Sequence, residues 1–95
     1  MVSVVYLSAI TPSKLASELS LAGVTVWEAI SLTEVLYLCD HKQIDVVIIA
    51  ADVEEPRLVE SQVRRTTIRL TPSATAGDVL GELVHLLPTG SVLMQ

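Results

Sequence analysis

A continuous apolar run lies between two aspartates at residues 45–52, which read Asp-Val-Val-Ile-Ile-Ala-Ala-Asp. Its β-branched residues favour a strand, and no polar residue alternates with them. A run of this kind is typical of a strand that is covered on both faces in a parallel sheet. We therefore predict that residues 46–49 form the central strand of such a sheet and are almost wholly buried.

The rest of the chain alternates between strand patterns and helix patterns. Further strands are predicted at residues 2–7, 24–29 and 66–70, and residues 24–29 suit an edge position. Parallel strands joined by helical crossovers of this length wind with one hand. The predicted fold class is therefore α/β, with a doubly wound parallel sheet of four to five strands.

Local signals mark the ends of the predicted helices. Thr11 is predicted as an N-cap with Pro12 at the first helical position, and Gly23 as a left-handed stop. Ser31 and Glu34 form a capping box, in which each side chain accepts from an unpaired backbone amide at a helix start. Two further helices are predicted from the apolar spacing over residues 56–65 and 75–87.

Composition bounds the class of protein. The chain has 95 residues, of which 51% are apolar and 18% charged, so we expect one folded domain over residues 1–95 without a membrane span. Its formal charge of −5 argues against nucleic acid as a partner. No basic charge precedes the first apolar stretch and Cys39 is the single cysteine, so we expect a cytoplasmic location.

Residues 23–56 resemble the receiver domains of two-component response regulators. Residues 23–29 look like that family's second strand, residues 31–36 like the start of its second helix, and residues 45–49 like its third strand. The resemblance covers about a third of the chain. It implies a flavodoxin-like, three-layer sandwich with strand order 2-1-3-4 and, where a last strand is present, 5.

The residues that receivers use for chemistry are missing here. Receivers accept a phosphoryl group on an aspartate after the third strand, with Mg²⁺ held by an acidic pair and a lysine late in the sheet. By the resemblance, the phosphoacceptor position falls on Ala50, whose methyl group cannot accept a phosphoryl group. No acid precedes Glu18, and both lysines, Lys14 and Lys42, lie in the first half. We expect a degenerate receiver that is not an enzyme and uses no cofactor.

Polar residues near the predicted strand ends form a candidate crevice, because ligands of open α/β sheets bind beyond the carboxyl ends of the strands. The candidate residues are Ser8, Asp52, Glu54, Glu55 and Thr71. The three acids offer oxygen ligands for a divalent cation, but a solvated loop that leads into the next helix is the favoured interpretation. No metal ligand set is assigned.

A second group of titratable residues lies on the last predicted helix. Asp78, Glu82 and His85 recur on one helical face, which is more typical of a solvated face than of a metal site. No glycine-rich phosphate loop or nucleophile elbow is present. A nucleotide enzyme is therefore not indicated.

The end of the chain leaves two topologies open. If residues 66–70 form the last strand, the helix after them returns beside the first helix and the domain is closed. If residues 91–95 add a fifth strand, part of one face stays bare, and we expect a symmetric homodimer to cover it.

The expected function is a non-catalytic regulatory or protein-interaction module that binds a protein partner or itself. The alternative is a protein that binds a small molecule or a divalent metal through carboxylates at the strand ends.

Overall fold

Strands and helices alternate strictly along the chain. A computed structural model describes residues 2–10 and 13–86. Its elements are β1 (Ser3–Leu7), α1 (Lys14–Leu21), β2 (Thr25–Ala29), α2 (Leu32–His41), β3 (Val46–Ile49), α3 (Pro56–Gln62), β4 (Thr66–Arg69) and α4 (Ala76–Leu86).

The strands form one parallel sheet in the order β2-β1-β3-β4. The predicted fold class and strand order are therefore confirmed. The register places Leu7 of β1 beside both Ala29 of β2 and Ile49 of β3, so these strands end at the same edge of the sheet. Residues 46–49 of β3 are at most 1% exposed, because β3 is an interior strand with helices on both faces.

Two helices cover each face of the sheet. Leu19 of α1 and Leu83 of α4 belong to one buried cluster, which we call the first core. Val35 of α2 and Val59 of α3 belong to the cluster on the opposite face, the second core. With α4 packed beside α1, the described residues have the closed topology in which β4 is the last strand of a four-stranded sheet. The alternative strand at residues 91–95 lies outside the described residues.

The starts of α1 and α2 have side-chain caps. The predicted cap at Thr11 and Pro12 lies outside the described residues, and the N-cap of α1 is Ser13, whose hydroxyl accepts from the amide of Ala16. The prediction of Thr11 as the N-cap is therefore wrong, because a second hydroxyl residue two positions later, Ser13, caps α1. Gly23 has φ of 98°, which confirms the predicted left-handed stop.

The capping box of α2 differs in one contact from its usual form. Ser31 Oγ accepts from the amide of Glu34 at 3.2 Å, as predicted. The Glu34 carboxylate accepts from the amide of Ile30 at 3.0 Å, one residue before the cap. Both side chains therefore still fix the entry of the chain into α2.

The third helix is shorter than predicted. It ends at Gln62 and not at residue 65, because Val63 has an extended backbone and is buried in the second core. Arg65 then donates from its guanidinium to the carbonyl oxygens of Ile44 and Cys39, at 3.1 and 3.2 Å. Tertiary contacts thus replace the last helical turn that the sequence spacing predicts.

The length and hydropathy of the helices decide whether any of them could cross a membrane. Within residues 2–10 and 13–86, no helix is long and apolar enough to cross a bilayer.

Candidate functional site

The loops after β1 and β3 are joined by one carboxylate. The Ser8 hydroxyl donates to Asp52 Oδ2 at 2.9 Å, and the Ala9 amide donates to Asp52 Oδ1 at 3.3 Å. Ser8 is only 4% exposed, and its oxygen also accepts from the amide of Ile10 at 3.2 Å. Because β1 and β3 are hydrogen-bonded neighbours, their exits meet and the carboxylate reaches across. We call this contact the Ser8–Asp52 bridge.

The point where β1 and β3 end is the switch point of the sheet. The chain leaves β1 for β2 on one side and leaves β3 for β4 on the other. A crevice opens at such a point in doubly wound sheets, outside the carboxyl ends of the strands. The Ser8–Asp52 bridge lies at this switch point, which makes it the candidate functional site.

Ala50 directly follows the last residue of β3. Its amide donates to the carbonyl of Leu7 at 2.9 Å, which continues the β1–β3 ladder, and its side chain is 8% exposed. A methyl group in this position offers no nucleophile to the crevice. The side chain serves the first core instead.

Two cavities, one on each side of Asp52, make up the predicted crevice. The first, which we call the crevice cavity, has a volume of about 380 Å³ and includes Ser8, Ala50, Asp52 and Thr71 in its lining. The second, the acidic cavity, has a volume of about 320 Å³ and includes Asp52, Glu54 and Glu55. Asp52 lines both cavities, but the five candidate residues do not line one chamber.

Glu54 and Glu55 belong to the entry into α3. Glu55 is the N-cap residue of this helix and Pro56 follows at its first position, but no side-chain hydrogen bond caps the helix. The acidic cavity also has apolar walls, to which Ile30 and Leu58 contribute. Among the described residues, no group of three or more His, Cys, Asp or Glu side chains is placed to hold a metal ion.

Lys14 is a residue of the crevice that the sequence analysis did not identify. It is the first residue of α1 and lines the crevice cavity together with Asp52. The signal was present in the sequence, since a helix that follows a short loop after β1 begins at the same edge of the sheet. The other lysine, Lys42, lies far along the chain with its Nζ 4.7 Å from the centre of the Trp27 ring.

Two other titratable residues, Asp78 and His41, have local structural contacts. Asp78 accepts from the amide of Thr75 at 3.0 Å, while the Thr75 hydroxyl accepts from the amide of Asp78 at 3.2 Å, which is a capping box for α4. His41 stacks on Tyr37 with ring centres 4.0 Å apart, and its Nδ1 lies 2.9 Å from the Tyr37 carbonyl oxygen.

Cys39 packs against the second core and is a free thiol. Burial raises the pKa of this thiol, and the nearby Arg65 guanidinium opposes that rise with a smaller effect. A raised pKa disfavours the reactive thiolate at neutral pH. The environment of Cys39 is therefore that of a structural cysteine.

Comparison with known proteins adds no assignment: no family model, curated protein or solved structure matches the chain.

Proposed function

We propose that this chain is a non-catalytic, receiver-like module for regulation or protein interaction that is not phosphorylated in the usual way. The observation that carries the proposal is that Ala50 and the Ser8–Asp52 bridge line the same crevice cavity. The position that the receiver resemblance assigns to the acceptor holds a largely buried methyl group. The carboxylate two residues later already accepts two hydrogen bonds from the neighbouring loop.

The chemistry of acyl phosphate formation supports this proposal. A carboxylate acceptor needs a free oxygen to attack phosphorus, and Mg²⁺ in such sites is held by carboxylates and substrate oxygens. The loop after β1 contributes Ser8 and Ala9, which donate hydrogen bonds to Asp52 and supply no carboxylate of their own. The crevice cavity therefore combines one carboxylate, which already accepts two hydrogen bonds, with the cation of Lys14.

Exposed apolar side chains at the same edge of the sheet support a role in contact with another protein. Ile10 is 69% exposed, Ile30 is 59% exposed and Leu58 is 46% exposed. Ile10 lines the crevice cavity, and the other two line the acidic cavity. Apolar side chains grouped at one end of a small domain, and rimmed by charges, are typical of an interaction surface.

The proposal includes a cytoplasmic location. The single thiol, Cys39, is free, which fits a reducing compartment. Expression of a tagged chain in cells, followed by fractionation, tests the cytoplasmic location separately.

The experiment is incubation of the purified chain with Mg²⁺ and a small phosphodonor, followed by intact-mass spectrometry. We expect the mass to stay that of the unmodified chain. The matched control is Asp52→Asn, which removes the one carboxylate that lines both cavities. A stable increase by the mass of one phosphoryl group that disappears in Asp52→Asn would identify a displaced acceptor and overturn the proposal.

A further inference from the structure

Within residues 2–10 and 13–86, no strand lies beside the outer edge of β4. In the described sheet, β4 pairs with β3 alone. The amide of Leu70 donates to the carbonyl of Ile49 at 2.9 Å, so the alternate residues Thr66 and Ile68 also direct their backbone groups towards β3. The backbone groups of Thr67 and Arg69 therefore point outward from the sheet. An edge of this kind is a template for a further strand.

The hand of the fold disfavours a parallel fifth strand that is reached through α4 and lies beside β4. The crossover from β3 to β4 moves outward through α3, which packs on the second core. A crossover from β4 to a parallel strand outside it would move in the same direction through α4, which packs on the first core. The two crossovers would have opposite hands, and connections of this type are right-handed in about 98% of cases. The open edge is thus suited to another molecule.

A groove runs along this edge between β4 and α4, and we call it the edge groove. Its volume is about 540 Å³. Ile68, Val79 and Leu86 supply apolar walls, and Asp78 and Glu82 supply acidic groups on the α4 side. The Asp78 carboxylate accepts from the Thr75 amide, whereas Glu82 has no ion pair within the described residues. The side of the groove formed by α4 is therefore negative.

The charge of the groove selects among possible occupants. A second copy would pair its own β4 antiparallel to this one about a two-fold axis, which places the two α4 helices side by side. Each α4 would then direct Asp78 and Glu82 towards the same acids of the other helix, and like charges at close range disfavour that arrangement. An extended segment with a basic side chain meets these acids with opposite charge.

We infer that the edge groove binds an extended segment of a partner protein, which adds to β4 as a fifth strand and places a lysine or arginine against Glu82. The inference rests on the proposed function and names the surface and the partner class of the same module. Main-chain hydrogen bonds to Thr67 and Arg69 hold the segment, and alternate side chains determine which segment fits. On the opposite face of the sheet, the acid Glu60 is already paired with Arg69 at 2.9 Å. The basic side chain of the partner segment therefore belongs on the α4 face, where it meets Glu82.

The test uses the full chain and two short synthetic peptides with a fluorescent label. One peptide alternates lysine with threonine and valine, and the matched peptide has glutamate in place of each lysine. Fluorescence anisotropy should detect binding of the lysine peptide and no binding of the glutamate peptide. In the ¹⁵N–¹H spectrum, the largest shifts should fall on the amides of Thr67 and Arg69.

Two variants test the two parts of the inference, which are strand addition to β4 and the contact of a basic side chain with Glu82. Thr67→Pro removes an outward N–H that has no partner in the sheet, a position where an edge strand tolerates proline. It should weaken binding of the lysine peptide about tenfold, as expected for a lost interchain hydrogen bond with a displaced strand. Glu82→Lys should weaken binding by a similar factor and keeps every backbone contact of β4, so it serves if Thr67→Pro does not fold.

Several outcomes would overturn the inference: no binding of the lysine peptide, equal binding of both peptides, or binding that neither variant changes. A dimer in sedimentation equilibrium that Thr67→Pro dissociates would assign the edge to a second copy instead. If the edge groove binds no peptide, the result of the phosphodonor experiment for the proposed function is unchanged. Phosphorylation of Asp52 would refute that function without changing peptide binding, so the two failures are distinguishable.

Discussion

Asp52 lies on the surface, yet it joins two loops that are far apart in sequence. Its carboxylate accepts from the buried Ser8 hydroxyl and from the Ala9 amide. Hydrogen bonds to a charged group are stronger than those between neutral groups. Asp52→Ala should therefore lower the free energy of unfolding by about 1 to 2 kcal/mol, measured by urea denaturation.

Glu54→Ala provides the matched control for that measurement. Glu54 is an exposed acid of the same loop, and its removal should change stability by less than about 0.5 kcal/mol. Equal effects of the two substitutions would show that the Ser8–Asp52 bridge does not hold the loops together.

The Cys39 thiol gives a prediction about pH. Burial raises the pKa of this thiol in the folded chain, mainly because the thiolate is poorly solvated there. A group with a raised folded pKa stabilises the fold below its unfolded pKa, and this stabilisation is lost as the pH rises through the folded value. The stability of the wild-type chain relative to Cys39→Ala should therefore fall as the pH rises above about 8.5, the usual value for a thiol.

Urea denaturation of both chains at a neutral and an alkaline pH tests this. The comparison with Cys39→Ala removes the contributions of tyrosines and lysines that titrate in the same range. A stability difference that stays constant or grows with pH would contradict the poor solvation of the Cys39 thiolate in the folded chain.

At the scale of elements, β3 is the centre of the fold. Ile48 is fully buried between the two helical layers. Ile48→Ala should cost about 2 to 5 kcal/mol, because it removes apolar contacts and leaves a cavity. The control is Ile30→Ala, whose side chain is 59% exposed and whose loss should cost far less. A loss below about 1 kcal/mol for Ile48→Ala would contradict the placement of the sheet centre.

The start of α2 depends on its cap. Ser31→Ala removes the oxygen that accepts from the Glu34 amide and should destabilise the fold by about 1 kcal/mol. Thr33 lies in the exposed first turn of the same helix. The control Thr33→Ala should leave stability unchanged or raise it slightly, because alanine favours helix. Both are measured by thermal or urea denaturation, and a larger loss for Thr33→Ala would contradict the cap.

At the scale of the whole molecule, the order of the elements was predictable and several contacts between them were not. The run at residues 46–49 identifies an interior strand, because both of its faces lack polar residues. Gly23 identifies a helix stop, because few other residues adopt its positive φ. Both signals are local in sequence.

What could not be predicted depends on which elements become neighbours. The Ser8–Asp52 bridge joins residues 44 positions apart, and it exists because β1 pairs with β3. The early end of α3 follows from the burial of Val63 and from Arg65 contacts to other elements. Periodicity within one segment contains no information on either.

Self-association stays a prediction. The symmetric homodimer is expected if a fifth strand leaves part of one face bare, whereas the described four-stranded sheet has helices on both faces. The exposed parts of α4, Val84 and Leu86, still offer apolar surface. Sedimentation equilibrium at micromolar concentration distinguishes a dimer from a single species near the chain mass of 10.2 kDa.

The central claim is that the crevice at the ends of β1 and β3 does not take part in phosphoryl transfer. The most direct test is a ¹⁵N–¹H spectrum of the full chain, recorded before and after addition of Mg²⁺ and a small phosphodonor. The claim predicts that the amide signals of Ser8, Ala9 and Ala50 keep their positions, because the Ser8–Asp52 bridge stays in place. A second set of signals for these amides, which persists after the donor is removed and is absent in Asp52→Asn, would contradict it.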